Sequence, residues 1–174
     1  ASLEHAAAVA ATENPNASRV VMKALDFAQL GLMRLAFPES SIIVVLRDPR
    51  AVAISLFRER FQDNHLFPFK FSLIDIAAHI EDYFAFFDQW EASREFMAPI
   101  QFLSYESLVS DPHPTVKGLL AGLRLANTDE DVQACLKFWQ NERRTTATAS
   151  NERVREPVFA LSATRWENYR HFLK

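Results

Sequence analysis

A chain of 174 residues that is 49% hydrophobic and 24% charged is long enough for one domain with a continuous core, and too apolar to be disordered. Its 19 basic against 22 acidic residues give a net charge of −3, which excludes a generally basic, nucleic-acid-binding surface. The single Cys135 excludes an internal disulfide and suits a reducing, cytoplasmic compartment, no apolar run is long enough to span a bilayer, and no His/Cys/Asp cluster has metal-site spacing.

Ala1 to Ala11 is alanine-rich, a short helix or a frayed tail, and Asn14-Pro15 turns the chain out of it. Residues 1–22 therefore read as a tail ahead of one domain spanning 23–174. Arg19 to Met22 is a brief apolar strand candidate, followed by Lys23. Apolar residues at helical spacing from Phe27 to Phe37 predict a helix that Pro38 stops. Ser41 to Leu46 is nearly all β-branched, the composition of a parallel strand buried on both faces. Asp48 is placed to cap the next helix and Pro49 to take its first position, where a missing N–H costs nothing; that helix extends to about Phe61. Gln62 to Phe71 lacks periodicity and reads as a loop.

Ser72 to Phe96 is a long amphipathic helix with Ile76, Ile80, Tyr83, Phe84, Phe87 and Trp90 in one stripe. Ile100 to Tyr105 is a second strand. Asp111-Pro112 opens a helix over Thr115 to Leu123, and Thr128 to Asp131 caps another that ends near Trp139. Asn141 to Pro157 is polar, basic and irregular, and a last helix covers about Ala163 to Leu173. Strands alternating with helices predict an α/β fold, a parallel sheet flanked by helices.

A parallel strand delivers its last side chain to the carboxyl edge of the sheet, where ligands of open α/β folds sit. Arg47 stands there, and Ser55 follows eight residues on, inside the next helix. A helix start offers free N–H groups and a positive dipole end, an arginine offers a forked permanent charge, and a serine hydroxyl adds a hydrogen bond. The turn thus has the parts of a phosphate site. The alternative is a solvent-facing Arg47 paired with Asp48, with Ser55 merely tolerated. Arg58 lies one turn past Ser55, within reach of the same anion. Tyr105 could stack on or hydrogen-bond an aromatic base, and Glu106 could hold an arginine in place; the alternative is a half-buried sheet tyrosine with its hydroxyl at the surface. Arg143 to Pro157 interleaves arginines with hydroxyls, which suits a lid over an anion as well as an exposed basic loop. Arg165 either adds a phosphate contact or pairs with Glu167. None of the three glycines (Gly31, Gly118, Gly122) forms the phosphate-cradling G-x-x-x-x-G-K pattern.

Four blocks, in this order and spacing, resemble the PAPS-dependent sulfotransferases, in particular the branch containing bacterial tetratricopeptide-linked and tyrosylprotein sulfotransferases. They are Phe37-Pro38-x(3)-Ile42-Ile43-x(3)-Arg47-Asp48-Pro49-Arg50 with Ser55; Tyr105-Glu106-x-Leu108-Val109; Thr148-Ala149-Ser150-x(3)-Val154-Arg155-x-Pro157; and Arg165-Trp166-x(2)-Tyr169. The resemblance implies a P-loop-nucleotide-kinase-like sulfotransferase fold over about Lys23 to Leu173. It also implies transfer of sulfate from PAPS, with PAP as product, to a hydroxyl or amine acceptor that is a small molecule or a protein, with no metal. By the same resemblance Arg47 and Ser55 clamp the 3′-phosphate with Arg58 nearby, and Tyr105 lies beside the adenine. Ser150 sits near the bridging phosphosulfate and stabilises the transition state, Arg165 lies on the 3′-phosphate side, and Arg153 and Arg155 belong to the lid. Lys23 matches the lysine at the leaving group, although Leu25 stands where the family usually has proline.

The family's 5′-phosphosulfate loop has a pattern like Gly-x-x-Arg-Ser-Gly-Thr and precedes these blocks, with a catalytic base after it. Nothing in Ala1 to Met22 resembles either, and Glu4, His5 and Glu13 are the only groups there that could act as a base. The expectation is a sulfotransferase domain lacking its first strand and loop. It is then a fragment whose other half is carried upstream or by a second chain, a catalytically incomplete PAP-binding or protein-interaction module, or a site in which another arrangement replaces the loop.

Overall fold

The computed structural model describes residues 19–23, 27–58, 67–93, 100–141 and 164–173. Two parallel strands form its centre, β1 (Ile42–Leu46) and β2 (Ile100–Ser104), in register from Ile42 opposite Ile100 to Leu46 opposite Ser104. Around them stand α1 (Leu30–Ala36), α2 (Pro49–Arg58), α3 (Leu73–Ala92), α4 (Tyr105–Ser110), α5 (Pro112–Gly122) and α6 (Asp129–Asn141), with 3-10 segments at Phe27–Gln29, Pro68–Phe71 and Arg165–Phe172. Parallel neighbours need a long crossover, which here contains α2 and α3. The α/β class with a parallel sheet flanked by helices is what the alternation of elements predicted.

The pleat turns Ile42, Val44 and Leu46 toward α1 and α3. Leu30, Val44, Phe87, Trp90 and Ile100 make the central core, with Phe27, Met33, Tyr83 and Phe86 packed on its flanks. On the other face Ile43 and Val45 remain 40% and 53% exposed, so β1 alternates instead of being buried on both sides as its composition suggested. The reason is placement: α5 covers that face at β2, where Gln101 Nε2 donates to the Leu119 carbonyl at 3.3 Å. Gly122 permits this approach, because a Cβ there would collide with the Gln101 side chain.

Two further clusters surround the sheet. Val116, Leu120 and Val132 bind α5 to α6 with Leu108, Leu125 and Leu136 packed against them. Ala51 and Ile54 of α2 receive Trp166, flanked by Tyr169 and Leu173.

Several elements differ from the sequence reading. Arg19 to Met22 is not a strand, and Val21 stands almost fully exposed. Tyr105 does not end β2 but begins α4, because Ser104 caps that helix by accepting the Ser107 N–H at 3.1 Å. The described part of the supposed loop is a 3-10 turn that buries Lys70 to 5% exposure. Ser72 caps α3 by accepting the Asp75 N–H, the helix ends at Ala92, and Phe84 of its stripe is 39% exposed. The final helix is of the 3-10 type. The alanine-rich start and residues 59–66 and 142–163 lie outside the described residues. No described helix is long and apolar enough to cross a membrane.

Candidate functional site

Only Arg47 and Asp48 connect β1 to α2, so the end of the strand and the start of the helix are fixed relative to each other. Parallel register then places the residue after Leu46 beside the residue after Ser104. Arg47 and Tyr105 meet by this construction: the Arg47 Cζ lies 4.6 Å from the centroid of the Tyr105 ring. Both residues are half-buried, and the Arg47 Nε is shut off from solvent. A guanidinium over a ring face gains about 0.5–2 kcal/mol, enough to favour one orientation of a flexible side chain.

Asp48 caps α2 as its position predicted. Its Oδ1 accepts the Arg50 backbone N–H at 2.8 Å and the Arg50 Nε–H at 3.0 Å, while Oδ2 accepts from Arg50 Nη2 at 2.7 Å. The first helical bond follows, from the Val52 N–H to the Asp48 carbonyl at 3.0 Å. The Arg50 side-chain bond holds the Asp48 carboxyl below its ordinary value; burial opposes it, and the backbone N–H groups of Arg50 and Ala51 assist. The same pairing raises Arg50. Arg50, not Arg47, is thus the forked partner of Asp48, and Arg47 is not the solvent-facing arginine of the alternative reading.

This cap corrects another expectation. The helix start does not present free N–H groups to an anion at these positions, since Asp48 occupies the Arg50 N–H. The Asp48 N–H itself donates to Glu106 Oε1 at 2.9 Å. Two carboxylates already sit on these backbone donors, so an anion at this turn would have to be met by side chains. Glu106 accordingly holds the backbone next to Arg47, where the sequence suggested that it held an arginine side chain.

Arg50 also lies over the Trp166 ring, Cζ to centroid 3.6 Å, with Arg170 at 5.8 Å. Trp166 is 9% exposed and packs on Ala51 and Ile54, which docks the C-terminal segment onto α2. Ser55 is half-buried one turn beyond Ala51, and Arg58 is exposed at the helix end. Arg165 is exposed beside Trp166, while Glu167 reaches Arg170 at 3.9 Å. Lys23 is exposed in an irregular segment. Ser150, Arg153 and Arg155 lie outside the described residues.

The structure therefore joins Arg47 to Tyr105 directly, sets Ser55 and Arg58 along α2, and leaves Arg165 exposed next to the Trp166 that packs on that helix. Sequence reasoning missed the Arg50–Trp166 stack and the burial of Lys70, whose Nζ lies 5.0 Å from the Phe71 ring centre. A lysine inside Phe67-Pro68-Phe69-Lys70-Phe71 was the available signal for the second.

A family model described as the sulfotransferase family matches residues 2–130. A relative from Aquifex aeolicus (strain VF5), named only as an uncharacterized protein, is 28% identical over 149 residues, covering 85% of this chain. The matched stretch is 19% of that relative's length, so this chain corresponds to a small part of it. No solved structure matches. The family match takes in β1, α2, β2 and α4 with Arg47, Ser55, Arg58, Tyr105 and Glu106, and stops short of residues 148–157 and of Arg165 to Tyr169. With the whole of the β1–α2 turn and the β2–α4 junction inside that match, the chain belongs to the sulfotransferase family.

Proposed function

We propose that this chain binds the 3′-phosphate side of PAPS and its product PAP, in the service of sulfuryl transfer to a hydroxyl or amine acceptor. One observation carries the reading: a single half-buried arginine stands at the carboxyl end of a parallel strand with its guanidinium laid on a tyrosine ring. That is where ligands of open α/β sheets sit. A nucleotide also asks for such a pair, a fork for the phosphate and an aromatic surface for the base. Ser55, the seventh residue of α2, supplies the second phosphate donor in this reading. Six helical steps rise about 9 Å, a span that an arginine side chain and a phosphate can bridge between them. Arg58, one turn past Ser55 at the end of α2, and Arg165, next to Trp166, are the further phosphate contacts of this reading.

In the transfer, the sulfur–oxygen bond to the 5′-phosphate breaks and a bond from sulfur to the acceptor oxygen or nitrogen forms. The acceptor's proton passes to a base, and PAP leaves with the electron pair. Lys23 is the proposed neutraliser of that leaving group and Ser150 the proposed contact to the bridging phosphosulfate. Arg153 and Arg155 are the proposed lid. A second reading is a PAP-binding or protein-interaction module without catalysis.

Calorimetry with PAP tests nucleotide binding, and no binding at all would favour the protein-interaction module. The expected result is micromolar binding, weak or absent binding of 5′-AMP, and a loss with Arg47→Ala of about 10- to 150-fold, the worth of charge-assisted hydrogen bonds of about 1.5–3 kcal/mol. Equal binding of PAP and AMP would remove the 3′-phosphate assignment. Labelled PAPS with a panel of hydroxyl and amine acceptors then separates the two readings, since transfer requires the first.

A further inference from the structure

Both halves of the Arg47–Tyr105 pair have one carboxylate for a neighbour. Glu106 Oε1 accepts the backbone N–H of Asp48 at 2.9 Å, from a residue 58 positions away. Its Oε2 accepts the Ser104 hydroxyl at 3.3 Å, and the Ser104 oxygen in turn accepts the Ser107 N–H at 3.1 Å. The Asp48 N–H belongs to the peptide plane that leaves Arg47, so holding it restricts the ψ of Arg47. Tyr105 is the residue immediately before Glu106. One half-buried side chain therefore ties the backbone after Arg47 to the backbone on both sides of Tyr105.

The same contacts argue against a direct role at the ligand. Both carboxylate oxygens already accept hydrogen bonds from the protein, and a carboxylate facing a phosphate would repel it. The Asp48 N–H that Glu106 occupies is, moreover, the sort of turn donor that anions use.

We propose that Glu106 is a positioning residue for the 3′-phosphate site. It pins the turn so that Arg47 presents its guanidinium from the face of Tyr105, and it acts through Arg47 without touching the nucleotide. This inference rests on the reading of the turn as a 3′-phosphate clamp.

A double-mutant cycle tests it, with PAP affinity measured by calorimetry at low salt so that the weaker complexes stay in range. Glu106→Ala is expected to weaken PAP about tenfold when Arg47 is present and less than twofold in the Arg47→Ala background. Glu106→Gln keeps a carbonyl for the Asp48 N–H, and the Ser104 hydroxyl can reverse to accept from its amide; it is expected to recover most of the loss. Equal losses with and without Arg47, or no recovery with glutamine, would overturn the proposal, because Glu106 would then act by general folding or by its charge. The Asp48 amide gives a readout independent of ligand and of the alanine variant's folding. Its hydrogen exchange should be slow in the wild type and in Glu106→Gln, and about tenfold faster in any folded variant lacking an acceptor at position 106, such as Glu106→Leu. Unchanged exchange would sink the stitch itself. If the wild type shows that slow exchange but does not bind PAP, the functional reading fails and the positioning of Arg47 stands as a structural fact.

Discussion

The strand tips and the α5–α6 hairpin satisfy their polar groups in opposite ways. In the hairpin the bonds that cap and close the helices are short in sequence. Thr128 donates its hydroxyl and its N–H to Asp131 Oδ2, at 2.7 and 3.0 Å, and accepts the Asp131 N–H in return. Leu125 N–H returns to the Leu120 carbonyl and Arg124 N–H to that of Ala121, closing α5 with Arg124 in the left-handed region at φ 54°. Apolar packing of Val116, Leu120 and Val132 does the rest. At the strand tips the connections are long: Asp48 reaches Glu106, Arg47 reaches Tyr105, and Arg50 reaches Trp166. Helices can stabilise themselves with local bonds. A site assembled from three distant stretches must be stitched across the chain, and the stitches here are the polar and charged groups themselves.

Breaking the longest of those stitches should have the largest effect. Trp166→Ala removes a buried indole from Ala51 and Ile54 and takes the ring from beneath Arg50, for an expected loss of about 3–5 kcal/mol in urea denaturation. PAP affinity should fall with it, measured under conditions where the variant remains folded. Lower stability with unchanged affinity would show that the turn does not depend on the C-terminal segment.

Val132→Ala is the matched perturbation in the hairpin. Val132 is fully buried, and truncating it should cost about 2 kcal/mol through lost burial and the cavity left behind. Because its packing partners all belong to the α4–α6 part of the chain, PAP affinity should stay within twofold of the wild type. A larger drop would mean that the two regions are energetically one, and the contrast drawn between them would fail.

What the sequence revealed follows the same division. Asp48, Pro49, Ser72 and Thr128 announce helix starts because a cap and its partner lie within three residues. The β-branched run Ile42 to Leu46 announces a strand by its own composition. Its half-exposed outer face was not legible, since covering a sheet depends on where distant helices land. Tyr105 was misplaced by one residue for a local reason that could have been read: Ser104 with Glu106 and Ser107 after it is a helix-start pattern. The pairing of Arg50 with both Asp48 and Trp166 was half visible, because the Asp48 partner is two residues away and the Trp166 partner is over a hundred. Arg47, Ser55, Tyr105 and Arg165 were singled out by chemistry and family likeness. Only the parallel register explains why the first and third of them touch.

The smallest expected effect is on acid stability, and it divides the two regions once more. Each holds one carboxyl below its ordinary value: Asp48 chiefly through the Arg50 side-chain bond, and Asp129 chiefly through Lys117 at 2.9 Å. A carboxyl lowered in the folded state takes up its proton first in the unfolded chain. Its contribution is therefore complete above the unfolded value, about 3.9 for aspartate, and is lost as pH falls through the lower folded one. Asp48→Asn should then be less stable than wild type at neutral pH, by no more than about 1 kcal/mol for so exposed a pair, and the gap should close below about pH 4. Asp129 is 72% exposed at its side chain, bonded to one flexible lysine and faced by His113 at 3.7 Å, so Asp129→Asn should show a smaller gap that added salt removes. Asp48 is 21% exposed and gripped by a fork plus backbone N–H groups, which salt screens less. Urea midpoints across that pH range, at low and high salt, compare the two directly. If salt erases both gaps equally, the Asp48–Arg50 fork is an ordinary surface pair and its hold on the α2 turn is weaker than its geometry implies.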